Sequence, residues 1–149
     1  MTMNHRKTVT HRLGKAAHAC RVRAGAELAQ IGLHPGQEGL LKALAEKDGV
    51  AMSELAATLR VKPPTVTKMV GRLTAQGYVE RRTSSDDGRL AHVFLTKKGK
   101  GTIGAIDKTW KRMEKTALSG ISDKDRKKLR TLLRQVSRNL DRSKRDAKV

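Results

Sequence analysis

Apolar residues recur every three to four positions along most of the chain, and this spacing predicts helices. Glycine, proline and capping residues divide the pattern into segments. The first four predicted helices cover about residues 8–31, 34–48, 53–61 and 63–76. The last two are short and meet across a tight connection at Val61 to Pro64, where proline breaks the helical pattern. This arrangement is typical of a helix-turn-helix motif.

Individual residues indicate where these helices begin. We expect Pro35 in the first turn of the second helix and Ser53 as the N-cap of the third. The position before the fourth helix is Lys62, whose side chain cannot accept a backbone N–H bond, so a missing cap should cost about 1 kcal/mol. Pro63 and Pro64 should partly offset that cost because they lack N–H donors.

The pattern changes to strand-like alternation after the fourth helix. Tyr78 to Arg82 and Leu90 to Leu95 are predicted strands, and Asp87-Gly88 suits the turn between them. Thr96 should begin a fifth helix, and Ser122 should cap a sixth as part of a capping box. The order helix-turn-helix, hairpin, helix predicts a winged helix-turn-helix module.

Three features of the flanking helices lead to further expectations. The glycines at 99, 101 and 104 should leave the start of the fifth helix bent or mobile. Cys20 falls on the apolar stripe of the first helix between Ala16 and Ala24, which is the usual setting of an inert core thiol. The first, fifth and sixth helices each carry an apolar stripe, which must pack on another helix or on a second chain.

Length and charge restrict the classes of function. The 149 residues suit one domain, and 33 Lys+Arg against 14 Asp+Glu give a net charge of +19, which implies a polyanionic partner. An aromatic content of 2% argues against a base-stacking surface for single strands, so duplex DNA is favoured. The charge is uneven, with nets of +5, +2 and +12 over residues 1–30, 31–96 and 97–149. The net charge therefore does not indicate which surface contacts DNA bases.

Other classes find little support. No apolar stretch is long enough for a membrane span and no signal core follows the charged start, so we expect a cytoplasmic protein with no membrane partner. One cysteine excludes an internal disulfide, and the five histidines lack metal-ligand spacing, so no metal or other cofactor is expected. There is no phosphate-binding glycine loop, nucleophile elbow or catalytic Cys/His arrangement, which argues against an enzyme.

Three stretches together resemble the multiple-antibiotic-resistance regulator (MarR) family: SELAATLRVKPPTVTKMVGRLTAQGYVERR at 53–82, DGR at 87–89 and FLTKKG at 94–99. The resemblance implies a mainly α fold with a small β-hairpin wing, in which a winged helix-turn-helix module over 33–99 lies between dimerisation helices at 8–31 and 100–142. The whole chain, 1–149, is then one MarR-like domain. The family also implies a homodimer that binds a pseudo-palindromic duplex operator and a small-molecule effector that releases it.

The resemblance and the helix phase together select candidate DNA contacts on the third and fourth helices and the wing. They are Ser53, Pro64, Thr65, Thr67, Lys68, Arg72, Arg82, Asp87 and Arg89. Arg89 in the Asp-Gly-Arg context is expected to enter the minor groove, where narrow A/T-rich DNA attracts a guanidinium. Asp87 should either orient Arg89 or simply form the turn.

Two alternatives stay open. A winged helix with this charge is also compatible with non-specific or architectural nucleic-acid binding. Some family members sense peroxide through a cysteine in the first helix, so Cys20 is a redox candidate, although the tyrosines that usually accompany such a thiol are absent from this helix. The resemblance favours a sequence-specific repressor.

Overall fold

The computed structural model describes residues 3–83 and 90–146. Its helices are α1 (Val9–Ala29), α2 (Gln37–Glu46), α3 (Met52–Leu59), α4 (Pro63–Ala75), α5 (Lys97–Ala117) and α6 (Asp123–Asp146), and its strands are β1 (Val50–Ala51), β2 (Val79–Thr83) and β3 (Ala91–Leu95). The chain divides after Met113 into two compact units. The predicted mainly α fold with a small β wing is confirmed.

The core of the first unit lies among α2, α3, α4 and the sheet. Each helix contributes the apolar positions that its periodicity predicted, and these side chains are almost fully excluded from solvent. They include Leu40, Leu41, Leu44, Leu55, Val66, Val70 and Leu73. Leu28 of α1 and Ile106 of α5 join the same cluster. Because α4 is fixed along one side by this core, its other side is held in one orientation.

The sheet has three strands in the order β1-β3-β2, with both pairs antiparallel. The predicted hairpin strands pair from Val79 opposite Leu95 to Thr83 opposite Ala91. The sequence pattern missed β1, which pairs Val50 with Val93. The wing is therefore anchored on its inner edge by the segment that leads into α3.

Two predicted helix starts are wrong. Gly36 has a left-handed backbone with φ of 93°, so α2 begins at Gln37 and Pro35 precedes the helix. The side chain of Gln37 closes this start by accepting the N–H of His34 at 2.9 Å. The N-cap of α3 is Ala51, whose extended backbone continues from β1, and Ser53 lies within the first turn of the helix instead of capping it. A strand residue already has the backbone angles that an N-cap needs.

The expected cost of the missing cap on α4 also needs correction. Lys62 makes no side-chain cap bond, as predicted. However, Pro63 and Pro64 have no N–H, and the next two donors, on Thr65 and Val66, both bond to the carbonyl of Lys62 at 3.0 and 3.3 Å. A cap side chain would therefore find no unsatisfied donor in the first turn. The side chain of Lys62 is exposed and takes no part in this helix start.

α5 is helical from Lys97 through all three glycines, so they do not interrupt the helix. Gly99 is buried, and a Cβ atom there would lie 2.1 Å from the carbonyl oxygen of Tyr78. Thr96 caps the helix by accepting the N–H of Gly99 at 3.1 Å. Glycine at 99 thus allows close packing of the helix start. Neither Gly101 nor Gly104 has an atom within 4 Å of its Cβ position.

The prediction that Cys20 is a core thiol is wrong, because the structure shows it as an exposed free cysteine. On α1 only Leu28 is buried, and Val9 keeps 76% of its surface exposed. The small apolar residues of this helix do not pack on the core of their own chain. The carboxylate of Glu27, 12% exposed, ties α1 to α5 by accepting bonds from Arg112 at 2.9 Å and from Arg23 at 3.1 Å.

The second unit contains the end of α5 and the whole of α6. The predicted cap is confirmed, since the hydroxyl of Ser122 accepts the N–H of Asp125 at 3.2 Å. Arg126 holds the turn by donating to the carbonyls of Ile121 and Leu118, both at 2.8 Å. No residue of α6 up to Arg142 is buried, and four of its leucines are exposed large hydrophobics.

Candidate nucleic-acid interface

α4 has two chemically distinct faces. Val66, Val70 and Leu73 are buried on one side, with residual exposures of 1% or less. The side that faces solvent carries small, polar and basic residues, namely Pro63, Pro64, Thr65, Thr67, Lys68, Gly71 and Arg72. The structure therefore brings together on one exposed surface the five candidates predicted on this helix, Pro64, Thr65, Thr67, Lys68 and Arg72.

The polar side chains on this surface differ in whether they already form hydrogen bonds or ion pairs within the protein. The hydroxyl of Thr67 donates to the carbonyl of Pro63 at 3.1 Å, which leaves its lone pairs as the groups that face outward. Among the described residues neither Lys68 nor Arg72 has a side-chain hydrogen bond or an ion pair. Two cations without partners in a helix face of this kind suit contacts with base edges or phosphate.

The turn between α3 and α4 fixes the angle of this helix. Arg60 has a left-handed backbone with φ of 54°, and it is the only non-glycine residue with positive φ in the described part of the chain. The N–H groups of Arg60 and Val61 bond to the carbonyls of Ala57 and Ala56 at 3.2 and 3.1 Å. This Schellman arrangement ends α3 sharply without the usual glycine and allows α4 to begin three residues later.

A cleft of about 300 Å³ lies between the start of α3, α4 and the wing. It is lined by Ala51, Met52, Ser53, Thr67, Arg81, Leu90 and Ala91. Ser53 was predicted as a contact, and its exposed position beside Thr67 places it on the same side of the module as the face of α4. The cleft lies between α4 and the wing, since its lining includes Thr67 of α4 and Arg81 of β2.

Sequence reasoning selected Arg82 and missed Arg81. The guanidinium of Arg82 lies 4.3 Å from the ring centroid of Phe94 and forms an ion pair with Glu80, so it is engaged within the wing. Arg81 lies on the opposite face of β2, opposite Val93, and lines the cleft. Strand alternation contained this signal, because successive side chains of a strand point to opposite faces.

The remaining predicted wing contacts, Asp87 and Arg89, lie outside the described residues. Within residues 3–83 and 90–146 no three His, Cys, Asp or Glu side chains are placed to hold a metal ion. Across the same residues, no helix is both long and apolar enough to span a bilayer.

Comparison with known proteins finds a match to one family over part of the chain. The sequence profile described as MarR family matches residues 31–90, which cover the helix-turn-helix and the first wing strand. The uncharacterized HTH-type transcriptional regulator YybA of Bacillus subtilis is 23% identical over 134 residues, 90% of this chain and 89% of the relative. The HTH-type transcriptional regulator BilQ of Clostridium symbiosum is 29% identical over 112 residues, 75% of this chain and 78% of the relative. These relatives are regulators and not enzymes.

Solved structures show the same fold. The structure of MepR of S. aureus in complex with DNA superimposes with a TM-score of 0.81 at 22% identity, and the match covers 89% of this chain and 98% of MepR. The agreement extends beyond the winged module to both flanking helical regions. Residues 31–90 therefore match the MarR family, and the chain has the winged helix-turn-helix fold of the solved MarR and MepR structures.

Proposed function

We propose that the protein is a homodimeric repressor that binds a specific duplex operator and is released by a small-molecule effector. The observation that carries the proposal is the exposed face of α4, which presents Thr65, Thr67, Lys68 and Arg72 beside a wing and carries no buried apolar residue. MepR, which shares this fold, is a protein solved in complex with DNA.

The dimensions and chemistry of α4 suit the major groove. A groove about 12 Å wide admits one α-helix with its side chains. Lys68 and Arg72 are one turn apart, so they extend from the same side of the helix. Both residue types pair with the O6 and N7 acceptors of guanine, and the arginine fork can do so with two bonds at once. Thr65 and Thr67 add hydroxyls that suit base edges or phosphate.

The wing supplies the second part of the proposed contact. Arg81 lines the cleft beside α4, and Arg89 is proposed as the minor-groove contact on the basis of the Asp-Gly-Arg sequence. Arg82 is a weaker candidate than its neighbour, because binding DNA through its guanidinium would give up the contacts with Phe94 and Glu80. Asp87 is proposed to orient Arg89.

Exposed apolar surface supports the homodimer. Large hydrophobic side chains outside the winged module remain open to solvent on α1, α5 and α6. Those with the greatest exposure include Val9 at 76%, Leu140 at 59%, Leu132 at 52% and Trp110 at 46%. Stable soluble proteins rarely leave this much apolar surface uncovered, so these helices are proposed to pack against a second copy of the chain. A two-fold dimer would present two α4 helices to a pseudo-palindromic site.

Selection of bound duplexes from a random pool tests specific binding. We expect a two-fold symmetric consensus, as the proposed dimer requires. A pool that stays random while binding remains tight would favour the alternative, a non-specific or architectural nucleic-acid protein, and would overturn the proposal. The effector rests on the family resemblance, and release of the selected duplex by a compound that also raises the melting temperature would support it.

Alanine substitutions then distinguish contacts with base edges from general electrostatic attraction to DNA. Lys68→Ala or Arg72→Ala should weaken binding to the selected duplex by about 1–3 kcal/mol and weaken binding to random duplex much less. Lys15→Ala is the matched control, because it removes one exposed positive charge from α1 outside the winged module. Equal losses on both duplexes would show that Lys68 and Arg72 hold phosphate only.

A further inference from the structure

The polar face of α6 carries an arginine at every fourth position: Arg130, Arg134, Arg138 and Arg142. All four side chains are exposed. Residues four apart lie one above the other on a helix surface, so these arginines form a continuous ladder. Lys127 lies on the same face. We refer to the four arginines as the arginine ladder.

The ladder is unfavourable for the helix by itself. Like charges at a spacing of four residues destabilise a helix, and the ladder contains three such pairs in succession. Among the residues whose side chains the structure describes, no ladder arginine forms an ion pair with an acid. Asp141 is next to Arg142 in the sequence, and it has an interaction of its own. The unbalanced charge is what a surface for a polyanion requires.

The other side of α6 is chemically opposite. Leu129, Leu132, Leu133, Val136 and Leu140 fall on the face turned away from the ladder. If that apolar face packs against a second chain, as proposed above, the ladder is left outward in the dimer. Dimerisation and polyanion binding would then use separate faces of one helix and would not compete.

We propose that the arginine ladder is a second surface for duplex DNA, which binds the phosphate backbone independently of sequence. The inference rests on the proposed DNA-binding function and extends it to a helix outside the winged module. The ladder rises over about 18 Å from Arg130 to Arg142, and a duplex carries about ten phosphate charges over that length. The guanidinium group suits phosphate because its planar fork donates two parallel bonds.

Duplex DNA fits the observations better than an anionic membrane does. A basic amphipathic helix binds a bilayer by burying its apolar face among the acyl chains while its basic face meets the headgroups. That mode needs the leucine face of α6, which the dimer would cover. α6 also has no tryptophan or phenylalanine.

The test compares two variants of the full chain that lose the same charge. The ladder variant carries Arg130→Gln, Arg134→Gln, Arg138→Gln and Arg142→Gln. The control variant carries Lys15→Gln, Arg21→Gln, Lys108→Gln and Lys111→Gln, which remove four exposed cations from α1 and α5. Affinity for the selected operator and for a random-sequence duplex is measured over a series of salt concentrations. Circular dichroism and sedimentation confirm that each variant remains helical and keeps the oligomeric state of the wild type.

We expect the ladder variant to reduce the slope of log affinity against log salt by about 0.9 for each phosphate that is no longer neutralised, up to about 3.6, on both duplexes. Affinity at low salt should fall at least tenfold, while the control should keep the wild-type slope. Equal slopes in the two variants would overturn the inference. It would also be overturned if the ladder variant ceased to bind phosphatidylserine vesicles and kept its slope on DNA.

The outcomes separate this inference from the proposed function. If the wild type selects no consensus but the ladder variant still has a reduced slope on random duplex, specific operator recognition fails and the ladder stands. If Lys68→Ala lowers operator affinity and the ladder variant leaves every slope unchanged, the ladder fails and operator recognition stands. Wild-type protein that binds no duplex at all would overturn both.

Discussion

Two glycines at the start of α5, only two residues apart, should respond to alanine substitution in opposite directions. In Gly99→Ala the new Cβ would lie 2.1 Å from the carbonyl oxygen of Tyr78 and 3.1 Å from a methyl group of Leu95. The backbone must separate by roughly 1 Å to accept it. The Tyr78 carbonyl cannot withdraw freely, because it accepts the N–H of Thr96 at 3.1 Å and thereby joins the start of α5 to the segment before β2.

The magnitudes follow from these contacts. Overpacking against fixed backbone costs about 1–3 kcal/mol, and weakening the Thr96 bond adds about 1 kcal/mol. The better helix propensity of alanine returns up to about 1 kcal/mol, so Gly99→Ala should lower the free energy of unfolding by about 1–3 kcal/mol. In Gly101→Ala the Cβ meets no atom within 4 Å, and we expect a gain of about 0.5–1 kcal/mol.

Urea unfolding of both variants at one protein concentration measures the difference, since the stability of a dimer depends on concentration. The slope of unfolding free energy against urea should stay constant, which would show that the unfolded states are comparable. If Gly99→Ala were as stable as Gly101→Ala, the close approach between α5 and Tyr78 would not constrain this junction, and the physical account of Gly99 would be wrong.

Two further predictions concern the helices outside the winged module. The hydrogen bonds from Arg112, followed by those from Arg23, lower the pKa of Glu27 below its ordinary value. The stabilisation that Glu27 provides is therefore fully present above that ordinary value and is lost as the pH falls through the folded-state pKa. Glu27→Gln should reduce the loss of melting temperature between pH 6 and pH 3, and an unchanged acid limb would contradict this. Leu129→Glu on the apolar face of α6 should weaken dimerisation at least tenfold in sedimentation equilibrium. Thr131→Glu adds the same charge to the polar face and should not weaken dimerisation. A Leu129→Glu chain that remains dimeric would exclude α6 from the interface.

The sequence predicted that helices α1 to α6 exist because each one repeats apolar residues at the helical period, but it misplaced two of their starts. It missed β1, since two residues cannot show alternation and this strand exists through its pairing with β3. The same omission displaced the N-cap of α3 from Ala51 to Ser53, because a serine is the expected cap where no strand is known to precede the helix. Local pattern fails here because the backbone angles are fixed by a partner distant in sequence.

The candidate site shows the same division. Helix phase correctly placed Thr65, Thr67, Lys68 and Arg72 on the exposed side of α4, because the buried residues between them define that phase. Cys20 was misplaced for the opposite reason. Small apolar residues form a stripe on α1, but the pattern does not indicate whether this stripe packs on the core of the same chain or on a second chain. The exposed thiol of Cys20 shows that the stripe does not pack on the core of the same chain.

Most of the net positive charge and the proposed base-contacting face of α4 lie in different parts of the chain, and this separation has a physical consequence. Residues 31–96 contain nine Lys+Arg and seven Asp+Glu, whereas residues 97–149 contain eighteen and six. Affinity from counterion release scales with the number of phosphates neutralised, so residues 31–96, with a net charge of +2, gain little attraction for DNA in general. The proposed contacts of α4 at base edges could therefore discriminate between sequences without strong background binding. The proposed ladder on α6 supplies attraction where no base is read, so raising the salt concentration should weaken binding to all duplexes while leaving the preference of α4 among them largely intact.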